Sequence, residues 1–291
     1  MRPLSRKRLR ILKVFALLSQ IRWYNILLLI FGQYLTALFV FAAPGDRLEA
    51  FADGGTHMII WASALVLSFG FLTNSFYDLE ADTINRPKQT AFERLVSKST
   101  SFRVATLLLV CGLLLSFTVS LRAFLFFSAY AAGLWLYSHK LRSIPIVSHM
   151  SAAILGMLPF FGISVYHHFL SLHTLAFGSL LGVTLFSREL LKDMMMYKGD
   201  IIVGRHTVAS EYGLDRTRFA LLISNSLAWV PAFFTKGLFS QEAEIGIVLI
   251  LILLTISNLT TLRSTELRAL RWAHLGYKLV LIIGVLTIPF L

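Results

Sequence analysis

Residues 102–138 read FRVATLLLVCGLLLSFTVSLRAFLFFSAYAAGLWLYS, with Arg103 and Arg122 as the only charged side chains. Apolar runs of this length are too long for strands. They also lack the period-two alternation of a sheet, so they read as helices. A helix needs about 20 apolar residues to cross a bilayer. The minimal turn at Leu121-Arg122 divides the stretch into two such spans.

The same pattern recurs on both sides. Apolar runs centre near residues 21–43, 57–80, 102–119, 121–138, 146–166, 171–192, 218–237, 243–262 and 273–291. The predicted fold is therefore all-α: a polytopic membrane bundle of about nine transmembrane helices in one domain, 1–291. Composition agrees, with 56% hydrophobic and 14% charged residues, against about 25% charged in soluble domains.

The net charge is +12, from 27 Lys+Arg against 15 Asp+Glu. The basic residues scatter between spans rather than gathering in one domain, which argues against nucleic acid as a partner. It argues for loops beside anionic membrane lipids. Residues 1–20 form a basic arm with Arg2, Arg6, Lys7, Arg8, Arg10 and Lys13. Arg22 and Asn25 interrupt the apolar run behind it, which argues against a cleaved signal. Base-rich and base-poor loops then alternate, and Lys236 stands alone in one of the poor ones. This places the N-terminus in the cytoplasm, the C-terminus outside, and the protein in the plasma (inner) membrane. The lone Cys111 has no partner for an internal disulfide.

Six of the 15 acids fall in two short segments at the ends of predicted even-numbered spans. Asn74, Asp78 and Asp82 are four apart, so they share one helical face. Two carboxylates and an amide oxygen suit a hard cation such as Mg2+, which commonly completes its shell with water and phosphate oxygens. Pro87 ends or redirects the chain soon afterwards. The second segment has Glu189, Asp193 and Asp200 on one face, with Met196 between the last two and Lys192 and Arg188 nearby. Gly199 offers a place for that helix to end. The plainer readings are a solvated helix end for the first, and Glu189–Lys192 and Asp193–Arg188 ion pairs for the second. Two acidic faces opening to one membrane surface suit a metal-bridged diphosphate, with a hydrocarbon tail lying among the helices.

These residues resemble the UbiA superfamily of intramembrane prenyltransferases. Asn74, Asp78, Asp82, Asn85, Arg86 and Pro87 match its N-x-x-x-D-x-x-x-D…N-R-P signature. Arg188, Glu189, Lys192, Asp193, Gly199, Asp200, Gly204 and Thr207 match the second signature, with Met196 where an aspartate is typical. Arg22-Trp-Tyr-Asn25 resembles an R-x-x-N element. Tyr137-Ser138, Arg142 and Pro145 resemble the loop after the fourth span, where Ser148-His149 replaces a common glycine–asparagine pair. The resemblance covers roughly residues 20–210; the last three spans match in hydropathy alone.

The resemblance implies Mg2+-dependent transfer of a prenyl chain from a polyprenyl diphosphate donor to a hydrophobic acceptor, a lipid or an aromatic ring. It implies Asn74, Asp78 and Asp82 as ligands of one metal and Asp193 and Asp200 as ligands of another. Asp78, Asp82, Asp193 and Asp200 are then the catalytic carboxylates. Asn25, Arg86, Tyr137, Arg142 and Lys192 contact substrate. The R-E-x-x-K-D form of the second signature leans toward members that act on geranylgeranylglycerol phosphate.

Two other functions compete. Met196 motivates a degenerate member that binds prenyl diphosphate without efficient turnover, since a thioether is a poor ligand for a hard cation. A secondary transporter also uses rare intramembrane charges, but here the acids cluster at one face. His167, His168 and His173 read as interfacial residues rather than a metal site. Asn258 fits a glycosylation pattern but falls within a predicted span. Asn25 and Gln33 are candidates for bonds between helices, while His274, Tyr277 and Lys278 receive no role.

Overall fold

The computed structural model describes residues 5–167, 172–234 and 237–291, with the backbone alone at His173. Arg2, His168 and Lys236 lie outside the described residues. The described chain is helical throughout: α1 Arg6–Ile21, α2 Trp23–Leu35, α3 Arg47–Ala52, α4 Gly54–Tyr77, α5 Leu79–Asn85, α6 Pro87–Glu93, α7 Lys98–Val119, α8 Leu121–His139, α9 Val147–His167, α10 Leu172–Ile202, α11 Val208–Tyr212, α12 Leu214–Leu227, α13 Trp229–Phe234, α14 Gln241–Arg263 and α15 Leu267–Thr287.

Helix ends follow local chemistry. The hydroxyls of Ser97, Ser120 and Ser240 accept hydrogen bonds from the backbone N–H groups of Thr100, Ala123 and Ala243. Asp53 caps α4 through Gly55 N and Thr56 N, at 3.3 and 2.8 Å. Such caps satisfy N–H groups that a helix start leaves free. Burial raises the Asp53 pKa, but hydrogen bonds from Thr56 and Tyr166 outweigh it and hold the carboxyl below its ordinary value. Pro87 stands at the first position of α6, where its missing N–H costs nothing.

The basic arm is not extended. It forms α1, which ends where Arg22 adopts a left-handed backbone at φ 56°. Ser19 Oγ donates to Glu93 Oε1 at 2.7 Å, and Gln20 Nε2 to the Glu93 carbonyl at 2.8 Å, so α1 is fixed to α6.

Among the described residues, seven helical stretches are long and apolar enough to cross a membrane. They begin at Trp23, Gly54, Lys98, Val147, Thr174, Gln241 and Leu267. Two further expected spans do not meet that measure. One is α8, a helix of 19 residues, and the other, at 218–237, is split between α12 and α13 at Ala228. α10 runs past Gly199 to Ile202, so that glycine does not end the helix.

Outward faces are apolar. Leu107, Val110, Leu114 and Phe117 are exposed on α7, and Ile245, Val248, Leu249, Ile252, Ile256 and Leu259 on α14. Stripes of this size face lipid in an integral membrane protein. Inside, one cluster joins α4, α8 and α9 through Ile59, Ile60, Phe127, Tyr130 and Ile163. A second joins α10, α12, α14 and α15 through Phe177, Leu180, Leu191, Leu221, Ile250, Leu254 and Tyr277.

Lipid is as apolar as leucine, so close packing and polar contacts must hold such helices together. Gly112 lets α7 approach the Ala62 carbonyl and Val66 of α4. Gln33 donates to Ser63 Oγ at 2.8 Å and to the Pro159 carbonyl at 2.5 Å, tying α2 to α4 and α9. Asn225 donates to Asn258 at 2.6 Å and accepts from Tyr277 at 2.7 Å, tying α12, α14 and α15. Asn258 is thus engaged within α14, and Tyr277 has a structural place.

Candidate active site

The first acidic segment sits at the junction of α4 and α5. Asp78 is the residue between the two helices and is 1% exposed. Asn74 Nδ2 donates to its Oδ2 at 2.7 Å, and Arg205 meets its Oδ1 at 2.9 Å. Arg142 pairs with the same carboxylate and donates to Asn74 Oδ1 at 2.7 Å. Burial, with Arg205 and Arg22 nearby, pulls the Arg142 pKa down to about 9, which leaves it charged at neutral pH. Asp82 pairs with Arg86 at 2.6 Å. It faces a smaller cavity of about 300 Å³ on the α1–α6 side rather than the main one.

The second segment runs along the end of α10. Lys192 Nζ donates to Glu189 at 2.6 Å, as expected, but Asp193 does not pair with Arg188. Arg188 lies 3.7 Å from Glu189 instead. Asp193 Oδ2 lies 3.0 Å from His149 Nε2 and accepts from Val208 N at 3.2 Å. Asp200 Oδ1 is 3.6 Å from Arg205 NH1, buried, and without a hydrogen bond.

Two links join the segments. Arg205 touches both Asp78 and Asp200. Asn85 donates to the Met196 carbonyl and accepts from Gly199 N, each at 3.0 Å. A Cβ on Gly199 would collide with the Asn85 amide, so the glycine serves this approach.

A polar cavity of about 620 Å³ opens between the segments, lined in part by Arg86, Arg142, Asp193, Met196, Asp200 and Arg205. An apolar cavity of about 250 Å³ continues from it among α2, α4, α8, α9, α10 and α15. Arg22, Tyr137, Arg142, Arg188, Glu189 and Lys192 line both. Asn25 and Asn74 line the apolar one.

Residues 33–276 match the UbiA prenyltransferase family. The chain belongs to that family. Curated relatives named digeranylgeranylglyceryl phosphate synthase include one from Pyrococcus furiosus, 28% identical over 60% of this chain and 63% of its own length. One from Thermococcus gammatolerans is 27% identical over 57% of this chain and 56% of its own. One from Sulfurisphaera tokodaii is 23% identical over 77% of this chain and 84% of its own. The aligned parts of the first two thus span less than two thirds of those proteins. A solved UbiA homolog from Archaeoglobus fulgidus bound to GPP and Mg2+ superposes with TM-score 0.68 at 15% identity, covering 94% of this chain and 99% of that one. The apo UbiA homolog from Aeropyrum pernix K1 gives 0.71 at 16%, covering 91% and 96%. At these identities the structural likeness establishes the UbiA fold.

Within this UbiA fold, the donor set can be tested against a divalent cation. No group of three or more His, Cys, Asp or Glu side chains converges among the described residues. Asp78 and Asp200 nevertheless point at one guanidinium, and Asp200 Oδ1 has an unused lone pair. That arrangement fits an ion that takes one or two carboxylates and completes its shell with phosphate oxygens and water.

Sequence reasoning missed three cavity residues. Arg205, His149 and Arg22 all line the polar cavity. Arg205 follows Gly204 of the second signature, and its charge was the available signal. His149 stood in plain view as a departure from the family pair. His274 and Lys278, left without a role, also line this cavity.

Proposed function

We propose that this protein transfers a prenyl chain from a prenyl diphosphate to a hydrophobic acceptor, lipid or aromatic, within the membrane. The observation that carries the reading is the continuity of the two cavities. A basic and acidic chamber suits a diphosphate, and the adjoining apolar one suits its hydrocarbon. The names of the relatives favour a glycerol-phosphate lipid as acceptor.

The C1–O bond of the donor breaks and its electron pair leaves with the diphosphate. The acceptor nucleophile forms a bond to C1 and releases a proton. Arg86, Arg142 and Lys192 hold the departing oxygens as their charge grows, the stage at which fixed cations contribute most. Asn25 and Tyr137 flank the chain near its reacting end. Glu189, which lines both cavities, accepts the proton. Asn74 and Asp78 on one side, and Asp193 and Asp200 on the other, would hold Mg2+, which neutralises diphosphate as a leaving group; Asp82 would join them only if it turned from Arg86 toward the chamber. Arg86, Lys88, Arg142 and Arg205 surround this end of the bundle, so the site faces the cytoplasm in this reading.

Met196 favours one alternative, a protein that binds prenyl diphosphate and turns it over poorly. The deciding experiment measures Mg2+-dependent diphosphate release from geranylgeranyl diphosphate by full-length protein in lipid nanodiscs, with lipid and aromatic acceptors. Turnover falling about 10²–10³-fold in Asp78→Ala is expected. Release absent from the wild type but gained in Met196→Asp would establish the binding role. Release absent from both would overturn the transferase reading.

A further inference from the structure

The two walls of the polar cavity differ in how their charges are satisfied. On one wall the cations are already paired: Arg142 and Arg205 with Asp78, and Arg86 with Asp82, carboxylates that do not themselves line the chamber. Across the chamber, Arg22 and Lys278 make no ion pair among the described residues. Arg22 lies 5.0 Å over the Phe71 ring, and Lys278 Nζ lies 5.5 Å over the Tyr24 ring. Arg188 Nε and His274 Nδ1 are buried without a hydrogen-bond partner. Seven cationic side chains line the cavity against three carboxylates.

Lys278 is costly where it stands, midway along a membrane-spanning helix. Its neighbours along α15 indicate what offsets that cost. His274 and Lys278 are one turn apart and line the polar cavity. Leu281, Val285 and Ile288 continue the same face and line the apolar cavity. One helical stripe therefore runs from two basic groups to three apolar ones. Its ligand has an anionic head and a hydrocarbon tail.

We infer that Arg22, Arg188, His274 and Lys278 form a second anion subsite, which binds the phosphomonoester of a single-chain acceptor lipid while the opposite wall holds the donor diphosphate. The inference rests on the transferase reading and assigns its acceptor class. It also gives Arg22 a reason to occupy a strained left-handed backbone, because the break between α1 and α2 sets its side chain against the chamber.

The test is equilibrium binding of a monoalkyl glycerol phosphate and of the same glycerol ether without phosphate, to full-length protein in nanodiscs. It needs no turnover, so it can fail while prenyl transfer stands, and can succeed if transfer fails. The phosphorylated lipid is expected to bind about tenfold tighter or more, as a charge-assisted contact implies. Lys278→Gln should erase that preference and Lys278→Arg should keep it. Arg263→Gln, outside the cavity lining, should leave it unchanged. Thermal melts of the Lys278 variants separate lost binding from lost folding; a misfolded Lys278→Gln transfers the decision to Arg22→Gln. Inorganic diphosphate with Mg2+ should not displace the lipid. A preference that survives in the folded Gln variant, competitive displacement by diphosphate, or equal binding of a phosphodiester lipid would each overturn the inference.

Discussion

The two acidic segments carry similar side chains at similar spacing, yet the fold treats them differently. Asp78 sits at a helix junction, gripped by two guanidinium groups and an amide. Asp200 lies inside a continuous helix, with one ion pair at 3.6 Å and an oxygen left bare. The first segment ends against a loop that delivers Arg142. The second has Met196 where the family commonly places another acid. One segment is thus electrostatically complete before substrate arrives, and the other waits for positive charge. A buried carboxylate left short of partners is expensive, so the second segment is where an incoming cation gains most.

The comparison breaks first at Arg205, which serves both segments. Arg205→Gln should lower prenyl transfer about 10²-fold. It should also lower the melting temperature, since removing one member of a buried pair costs about 3–5 kcal/mol; diphosphate release and a thermal melt read the two effects. An unchanged melt would mean that Asp78 is satisfied by Arg142 and Asn74 alone. Met196→Asp sharpens the contrast from the other side. It should lower the Mg2+ concentration for half-maximal turnover by about tenfold, a ligand-sized change in metal affinity. A Mg2+ titration that does not move would show that the second segment already has its full ligand set. The smallest effect is expected at the latch. Asn85→Ala removes two hydrogen bonds between α5 and α10 and should destabilise the protein by about 1–3 kcal/mol, measured by denaturant or thermal unfolding.

The apolar runs placed most of the long helices within a few residues, but α10 runs on to Ile202, well past its expected end, and α1 forms within the basic arm. The four-residue spacing of Asn74 and Asp78 likewise matches their contact across one helical turn. What the pattern could not carry was pairing across the fold. Arg205 is 127 positions from Asp78 and only tertiary structure joins them. Asp193 met His149 rather than Arg188 because α9 lies against α10, a proximity that local helical spacing does not encode. Asp82 fell away from the main chamber because the chain turns at α5, which moves it off the line of α4. Lys278 and His274 were unreadable for another reason: in the last spans the sequence offered only hydropathy, and hydropathy does not say which face of a helix meets a cavity. The break at Ala228 was equally hidden, since the apolar run continues across it.

The clamp between α1 and α6 reaches beyond stability. Phe15 and Ser19 of α1 line the polar chamber, and Ser19 is also bonded to Glu93. Helix α1, read from the sequence only as a basic arm, thus forms one side of the polar chamber. Shortening the chain to begin at Arg22 would leave the bundle with its long helices in place and its chamber open to the water outside.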